Sequence, residues 1–384
     1  MNDVVRVVVV APSLDILGGQ SVQADRLIAR LAETPGLEVG FLAVNPRLPG
    51  PLASLQRVKY VRTVVTSAAY FIELLRRLPK YDVVHVFSAS YLSYLIAPVP
   101  AMVAGRLLRR RVLLNYHSGH AADHFRRWKS AVPLARLAHA IVVPSEYLAG
   151  VFERFGLRAD VAYNFIDEKT YRFTPRQTFA PAYLANRNFE PGYNVACVLR
   201  AFGRIQSRVP EARLIIAGSG SQDAMLRQLG ESLGLRNVEW AGRVPPERMP
   251  ELYARSDFYL NAPNVDNMPL SVLEAQMTGL PVVTTNAGGI PFIVEHGVTG
   301  WMVPCNDDAA LANAALELLA NPTLAATIAA QARKVCEERY VWSAVAPEWM
   351  RIYTELAHSV GPAPVPPRAA PDRLSAPRLE EPSA

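Results

Sequence analysis

Val4-Val5-Arg6-Val7-Val8-Val9-Val10-Ala11 sets how the rest of the chain is read. So short and so continuous an apolar run suits a strand buried on both faces, the kind found in parallel sheets. Gly18-Gly19 follows, and then Ser21–Ala32, where Val22, Leu27, Ile28 and Leu31 form a helical stripe. The same order recurs downstream. Val39–Val44, Val83–Phe87, Val112–Tyr116 and Ile141–Val143 read as strands, with helical patterns between several of them. A second series begins near residue 180. Arg213–Ala217 runs into Gly218-Ser219-Gly220 and a helix around Met225–Leu233, and Val238–Trp240, Phe258–Asn261 and Pro281–Thr285 continue the pattern. Strands alternating with helices predict an α/β fold with parallel sheets, here two sheets joined near Asn164–Pro175. A cleft between two such domains is a natural ligand site, because strand carboxyl ends and helix N-termini face it. Trp342–Leu356 reads as a last helix with Trp342, Val345, Trp349, Ile352 and Tyr353 near one face. From Gly361 the chain has seven prolines and few large apolar residues, which predicts a disordered tail.

Composition narrows the class. The chain has 384 residues, 50% of them hydrophobic and 19% charged, too apolar for a disordered protein and long enough for two ordinary cores. Its three cysteines, Cys197, Cys305 and Cys336, are too few and too scattered for a disulfide framework or a thiolate zinc site, as expected in a reducing cytoplasm. No secretory signal is read at Met1-Asn2-Asp3. Val83–Gly105 lacks charge, yet its Ser, His and Pro residues fit a strand and helix better than a membrane span. Charge is uneven: residues 1–170 carry 21 Lys and Arg against 13 Asp and Glu, the remainder 19 against 21. Arg109-Arg110-Arg111 and Arg126-Arg127, beside Phe125 and Trp128, suit an acidic partner such as anionic lipid or a phosphorylated substrate. No nucleic-acid-binding motif accompanies them, so nucleic acid is not expected as a partner.

The chemistry concentrates in Asp266-Asn267-Met268-Pro269-Leu270-Ser271-Val272-Leu273-Glu274-Ala275. Pro269 suits the first residue of a helix, Asp266 or Asn267 can cap it, and Gly279 supplies a left-handed stop. A helix over 269–278 would concentrate free amides and positive dipole at its N-terminus, a place for an anion such as a diphosphate. Glu274, among Val272, Leu273 and Met277, must pair with a cation or accept hydrogen bonds from a polyol. Asp307-Asp308 reads as a solvated helix start rather than a metal site, and His117 and His120 make no zinc set with the cysteines. No Gly-x-Ser-x-Gly elbow or phosphate-binding Walker loop occurs, and Gly218-Ser219-Gly220 lacks the fuller nicotinamide fingerprint.

Asp266 and Glu274, with seven residues between, followed by Gly279-Leu280-Pro281-Val282-Val283 and Gly288-Gly289-Ile290-Pro291, resemble the retaining glycosyltransferases of family 4. The resemblance runs to about Tyr353. It takes in Gly18-Gly19, His117 within Asn115–His120, Pro144-Ser145-Glu146, Asn164–Asp167, Gly218-Ser219-Gly220 and Gly242-Arg243-Val244. It implies a GT-B fold of two facing Rossmann-like domains: 1–170 on the acceptor side and 171–340 binding the nucleotide sugar. A helix over 341–360 would pack back toward the first domain, with the tail over 361–384. Glu274 would accept the ribose hydroxyls, Asp266 would meet hydroxyls of the transferred sugar, and His117 would contact that sugar across the cleft. Amides near Leu270 and Ser271, beside Asn267, would hold the diphosphate. The backbone near Val244 would meet the base, and Gly18 and Gly19 would admit the phosphate and acceptor closely.

Two departures stand out. Arg187 fills the place of an arginine on the diphosphate, but Gly192 stands where the family carries Lys, which leaves Arg187, Asn188 and Asn194 as the nearby polar groups. One charge-assisted phosphate contact fewer removes roughly 1.5–3 kcal/mol of leaving-group stabilisation. Pro269, in turn, offers no amide. The expected activity is a cytoplasmic, metal- and cofactor-independent transfer of a hexose-type sugar, with retention, from a nucleotide-diphosphate donor. The acceptor expected is a glycan or a lipid-linked molecule, met at the anionic inner face of a membrane. The alternatives are a nucleotide-sugar-binding regulator, suggested by Gly192, and a nucleotide-sugar epimerase on the same scaffold.

Overall fold

A computed structural model describes residues 4–13, 19–48, 50, 58 and 61–359. Gly18 and the Pro-rich stretch from Gly361 lie outside the described residues. Backbone contacts divide the chain into two units, one up to Tyr163 together with the segment from Val345, the other Asn164–Ala344.

The first unit is a parallel sheet of β1 (Val5–Ala11), β2 (Leu37–Ala43), β3 (Val83–Ser88), β4 (Arg111–Tyr116), β5 (Ala140–Val143) and β6 (Asp160–Val161), in the order β2-β1-β3-β4-β5-β6. Val7 to Ala11 are fully buried, as a central parallel strand requires. Arg6, the polar residue in that run, turns outward and pairs with Asp82 at 2.9 Å. The following helix, Gly19–Ala32, buries Gln23, Ala24, Leu27 and Leu31. Val22 and Ile28 are only half-buried, so the sheet takes a face rotated from the expected stripe. The helix Trp342–His358 presents Val345, Trp349, Ile352, Tyr353 and Leu356 to a buried face, and Arg351 ties it to Asp160 at 3.2 Å.

The second unit repeats the plan with β7 (Ala182–Ala185), β8 (Arg213–Ala217), β9 (Val238–Gly242), β10 (Phe258–Asn261), β11 (Val282–Thr285) and β12 (Trp301–Val303). All pairs are parallel, in the order β12-β11-β10-β7-β8-β9. Its core joins Tyr183, Phe202, Ile205, Leu214, Ile216 and Phe258 to Leu311 and Leu318 of the helix Asp308–Ala320. That helix begins as expected at Asp307, whose carboxylate accepts from the Ala310 amide at 2.8 Å. Asn164 and Ile166 belong here by their bonds: the Asn164 amide donates to the Met268 carbonyl at 3.1 Å, and the Ile166 N–H to that of Tyr340 at 2.7 Å.

Strand order locates the functional ends. In each sheet the chain reverses its direction of winding between two neighbouring strands, β1 and β3 in the first unit and β7 and β10 in the second. Beyond the carboxyl ends of such strands the connecting loops part and leave a crevice, where open α/β sheets bind ligands.

Candidate functional site

At the second unit's switch point β7 ends at Ala185 and delivers Asn186 and Arg187, while β10 ends at Asn261 and leads to Asp266. Adjacent strands thus place residues far apart in sequence side by side. Arg187 Nη2 donates to Asp266 Oδ2 at 2.5 Å and Nη1 to Ser271 Oγ at 3.0 Å, with both charged side chains only 11% exposed. The guanidinium lies over the Tyr193 ring, 4.1 Å from its centroid. Burial works against its charge, but Asp266 and the surrounding Tyr193, Tyr259 and Tyr253 outweigh that and raise its pKa. Two buried polar atoms next to this cluster, Arg187 Nε and Asn186 Oδ1, have no partner among the described residues. Such atoms in a native interior call for a ligand or ordered water.

The glycine motifs exist to bring backbones together. Gly288, at φ +53°, packs so closely on the Asp266 carbonyl that a Cβ would collide with it, and Gly289 stands likewise against that of Asn267. The Gly289 N–H donates to the Asp266 carbonyl at 3.1 Å, and Asp266 Oδ1 accepts from the Asn267 amide at 2.9 Å. Gly218 and Gly220 lie against the carbonyls of Arg187 and Phe189, and the Phe189 N–H bonds the Ser219 carbonyl at 3.0 Å. Both loops therefore fix the segments that carry Arg187 and Asp266.

The helix beyond Asp266 is Leu270–Thr278, which corrects two expectations. Pro269 is the cap residue rather than the first helical one, with an extended backbone at ψ 119°, and its side chain makes no capping hydrogen bond among the described residues. Asp266 is turned to Arg187 instead. The Val272 and Leu273 amides fold back on the Pro269 carbonyl at 3.2 and 3.4 Å, whereas those of Leu270 and Ser271 have no acceptor among the described residues. The end stays open, a positive pole beside Arg187. Gly279, at φ +83°, stops the helix as expected.

Glu274 is 6% exposed. The Tyr253 hydroxyl donates to its Oε2 at 2.9 Å and approaches the Ser271 carbonyl at 3.3 Å, while the Asn186 amide donates to that hydroxyl at 2.8 Å. Burial first, and then the negative Glu274, hold the Tyr253 phenol protonated, well above its ordinary range. A relay from Asn186 through Tyr253 thus fixes the carboxylate that sequence left among apolar neighbours.

The other expected donor residues spread around this cluster. Asn267 is buried and Asn188 exposed, and Val244 follows the end of β9 at Gly242. Asn194 adopts a left-handed turn at φ 47° and spends its amide on Asn264 and Asn306, at 3.3 and 3.0 Å. Tyr193, Tyr253 and Asn186 were not singled out in the sequence. Asn186 adjoins Arg187, but nothing in the helix Met249–Ala254 marks Tyr253 as a partner for Glu274.

In the first unit Gly19 opens its helix and His117 follows the end of β4. The His117 ring stacks on Phe87, 4.9 Å away and 16° from parallel, and Phe87 on His85 at 5.0 Å. His85 stacks in turn on Trp349 at 5.2 Å, with both ring nitrogens engaged, one with Tyr353 at 2.7 Å and one with Asn115 at 3.0 Å. His117 Nε2 is buried without a partner among the described residues, and burial pulls its pKa down to about 3, so the ring is neutral. After β3, Tyr91 holds a strained backbone at φ 58° and donates to Asp123 at 2.5 Å.

Two parallel Rossmann-like sheets, one with charged and amide groups at its strand switch point, are the architecture that the resemblance to GT-B glycosyltransferases implies. Residues 17–170 match the family described as Glycosyltransferase Family 4, and residues 176–335 match Glycosyl transferases group 1. The chain is accordingly a family 4-like GT-B glycosyltransferase relative. It is 28% identical over 204 residues to an N-acetyl-alpha-D-glucosaminyl L-malate synthase of Bacillus anthracis, covering 50% of this chain and 53% of that one. It is 26% identical over 279 residues to a GDP-mannose-dependent alpha-(1-6)-phosphatidylinositol monomannoside mannosyltransferase of Mycolicibacterium smegmatis, covering 64% and 72%. The chain spans about half the length of the first of these relatives. Among solved structures, HepE of Anabaena in complex with UDP-glucose superposes with a TM-score of 0.73 at 21% identity, covering 91% of this chain and 99% of that one. At that identity the likeness concerns the fold.

Proposed function

We propose that this protein is a retaining glycosyltransferase that moves a hexose-type sugar from a nucleotide-diphosphate donor to a hydroxyl acceptor without a metal ion. The observation that carries the reading is the junction of Arg187, the open amides of Leu270 and Ser271, and the buried Glu274 at one strand switch point. A diphosphate leaving group develops charge as the bond from sugar C1 to the phosphate oxygen breaks, and preorganised donors in a water-poor site stabilise that charge. Arg187 and the helix amides would do so. Glu274, held by Tyr253, would accept the ribose hydroxyls, and Asp266, adjoining Arg187, would accept hydroxyls of the sugar. The acceptor oxygen bonds to C1 on the face the phosphate leaves, and its proton passes to the departing phosphate oxygen, so no protein nucleophile is required.

The first unit would bind the acceptor, with the neutral His117 offering the sugar a hydrogen bond without charge. Leu92, Ile96 and Leu107 are exposed in helices near Arg106 and Arg109, which supports a lipid-linked acceptor met at an anionic membrane surface. Among the described residues no helix is long and apolar enough to cross a membrane. The test is a thermal-shift panel of uridine, guanosine, adenosine and thymidine diphosphates with their common sugar conjugates, on the wild type and Glu274→Ala. At 100 times its dissociation constant a ligand adds about 2.7 kcal/mol to the folded state. Stabilisation by one base, lost in the variant, is expected; a folded protein that responds to none of them overturns the reading.

A further inference from the structure

The phosphate-facing cluster of the second unit offers few open cationic hydrogen bonds: of the Arg187 nitrogens only Nε has no partner among the described residues. Arg187 has committed Nη2 to Asp266 and Nη1 to Ser271, and Glu274 adds a second carboxylate one turn along the helix. A diphosphate entering here meets the Leu270 and Ser271 amides and an arginine already shared with an anion. One further side chain reaches the same guanidinium, Tyr193, whose ring lies under it at 4.1 Å. Its hydroxyl makes no hydrogen bond among the described residues, although the side chain is half-buried.

That ring is held from both flanks. Tyr193 closes the turn Pro191–Tyr193, with its N–H on the Glu190 carbonyl at 3.0 Å. The Gly192 carbonyl accepts from Asn264 and Val265 at 2.9 and 3.3 Å, and these residues lead directly to Asp266. The Asn194 amide fastens the far side of the turn to Asn264 and Asn306. The turn that carries this phenol is thus held on both sides, the ring lies against a cation, and its one donor is open among the described residues. Its pKa is raised: Arg187 draws it down, but burial and the carboxylates of Asp266 and Glu190 prevail, so the proton stays on the oxygen.

We infer that Tyr193 is a diphosphate-binding residue of this site: its ring sets the plane of the Arg187 guanidinium, and its hydroxyl donates a hydrogen bond to the donor diphosphate. The two roles separate by substitution. Tyr193→Phe keeps the ring over Arg187 and removes the donor, whereas Tyr193→Leu removes both. This rests on the nucleotide-sugar reading above, so the experiment distinguishes the two failures.

Affinities of the wild type and both variants are measured by titration calorimetry with nucleoside diphosphates and the matching nucleosides. Unliganded melting temperatures check that each variant is folded. A hydrogen bond to a charged group corresponds to roughly a tenfold or larger change in affinity. Tyr193→Phe is expected to weaken diphosphate binding about tenfold and to leave the base-and-ribose contribution, read from the nucleoside, within about twofold. Tyr193→Leu is expected to weaken the diphosphate further. Equal diphosphate affinity in wild type and Tyr193→Phe overturns the hydroxyl's role, and a loss shared equally by nucleoside and diphosphate overturns its assignment to the phosphates. A wild type that binds no nucleotide overturns the functional reading itself and this inference with it.

Discussion

The two units answer the same architectural problem with different chemistry. Each is a parallel six-stranded sheet among the described residues, with a switch point at the carboxyl ends of its strands. In the second unit that edge is charged: Arg187, Asp266 and Glu274 are buried and held by Ser271, Tyr253 and Asn186. In the first it is aromatic and imidazole-rich, with His117, Phe87, His85 and Trp349 in one stack and His124 among Tyr91, Tyr94 and Tyr116. A buried charge is tolerated only with its counter-charge, whereas a buried imidazole can give up its proton. The second unit should therefore be sensitive to loss of a partner, and the first to acid.

The largest expected effect tests the charged edge. Asp266→Ala leaves the Arg187 guanidinium buried and unpaired and should destabilise the protein by about 3–5 kcal/mol in urea unfolding. Replacing both together, Arg187→Met with Asp266→Leu, should recover most of that while abolishing any sugar transfer. If the single and double variants unfold alike, the pair is not the unit of stability.

Acid should single out the first unit. Burial lowers the pKa of His117 to about 3 and of His124 and His139 to about 4, and it takes His85 well below its ordinary value. In the unfolded chain these rings titrate near 6.5. Their folded values are depressed, so the stability they contribute is whole above about pH 6.5 and falls as pH drops toward 4. The unfolded state takes up protons there that the native state refuses. The loss amounts to up to about 2 kcal/mol per neutral ring at pH 5. Hydrogen exchange should show first-unit amides opening before second-unit amides as pH is lowered from 7.5 to 5, and simultaneous opening would contradict the comparison.

Tyr253→Phe should cost about 1–3 kcal/mol, because it removes the donor held by the buried Glu274. It should also weaken nucleotide binding, by freeing a carboxylate meant for ribose; calorimetry and chemical unfolding measure both. Smallest and symmetrical are the helix caps. Ser145 Oγ accepts from Leu148 N at 3.2 Å in the first unit, and Asp307 Oδ1 from Ala310 N at 2.8 Å in the second. Ser145→Ala and Asp307→Ala should each cost about 1 kcal/mol, read as similar shifts in denaturation midpoint.

Much of this was legible in the amino-acid sequence, for identifiable reasons. A valine run with one arginine has few outlets other than a buried strand, and repeating strand–helix units with Gly turns point to parallel sheets. Gly279 announced the end of its helix because few other residues accept a positive φ there. Local preference failed where tertiary contacts competed for the same group. Asp266 is a good cap residue next to a helix start, but a buried arginine from another strand binds a carboxylate more strongly than free amides do, so the helix end is left open.

Arg187 entered only through the family resemblance, whereas local sequence was enough for the α/β plan, for the need of Glu274 for a polar partner and for the asymmetry of charge along the chain. These depend on composition, periodicity and backbone preferences that act within a few residues. Only the tertiary structure decided what each polar group faces: Arg187 to Asp266 and Tyr193, Tyr253 to Glu274, and His117 onto a column of rings ending at the last helix. Those partners lie on strands and loops brought together by sheet order. At such distances along the chain the identity of a partner is set by packing, which no local pattern encodes.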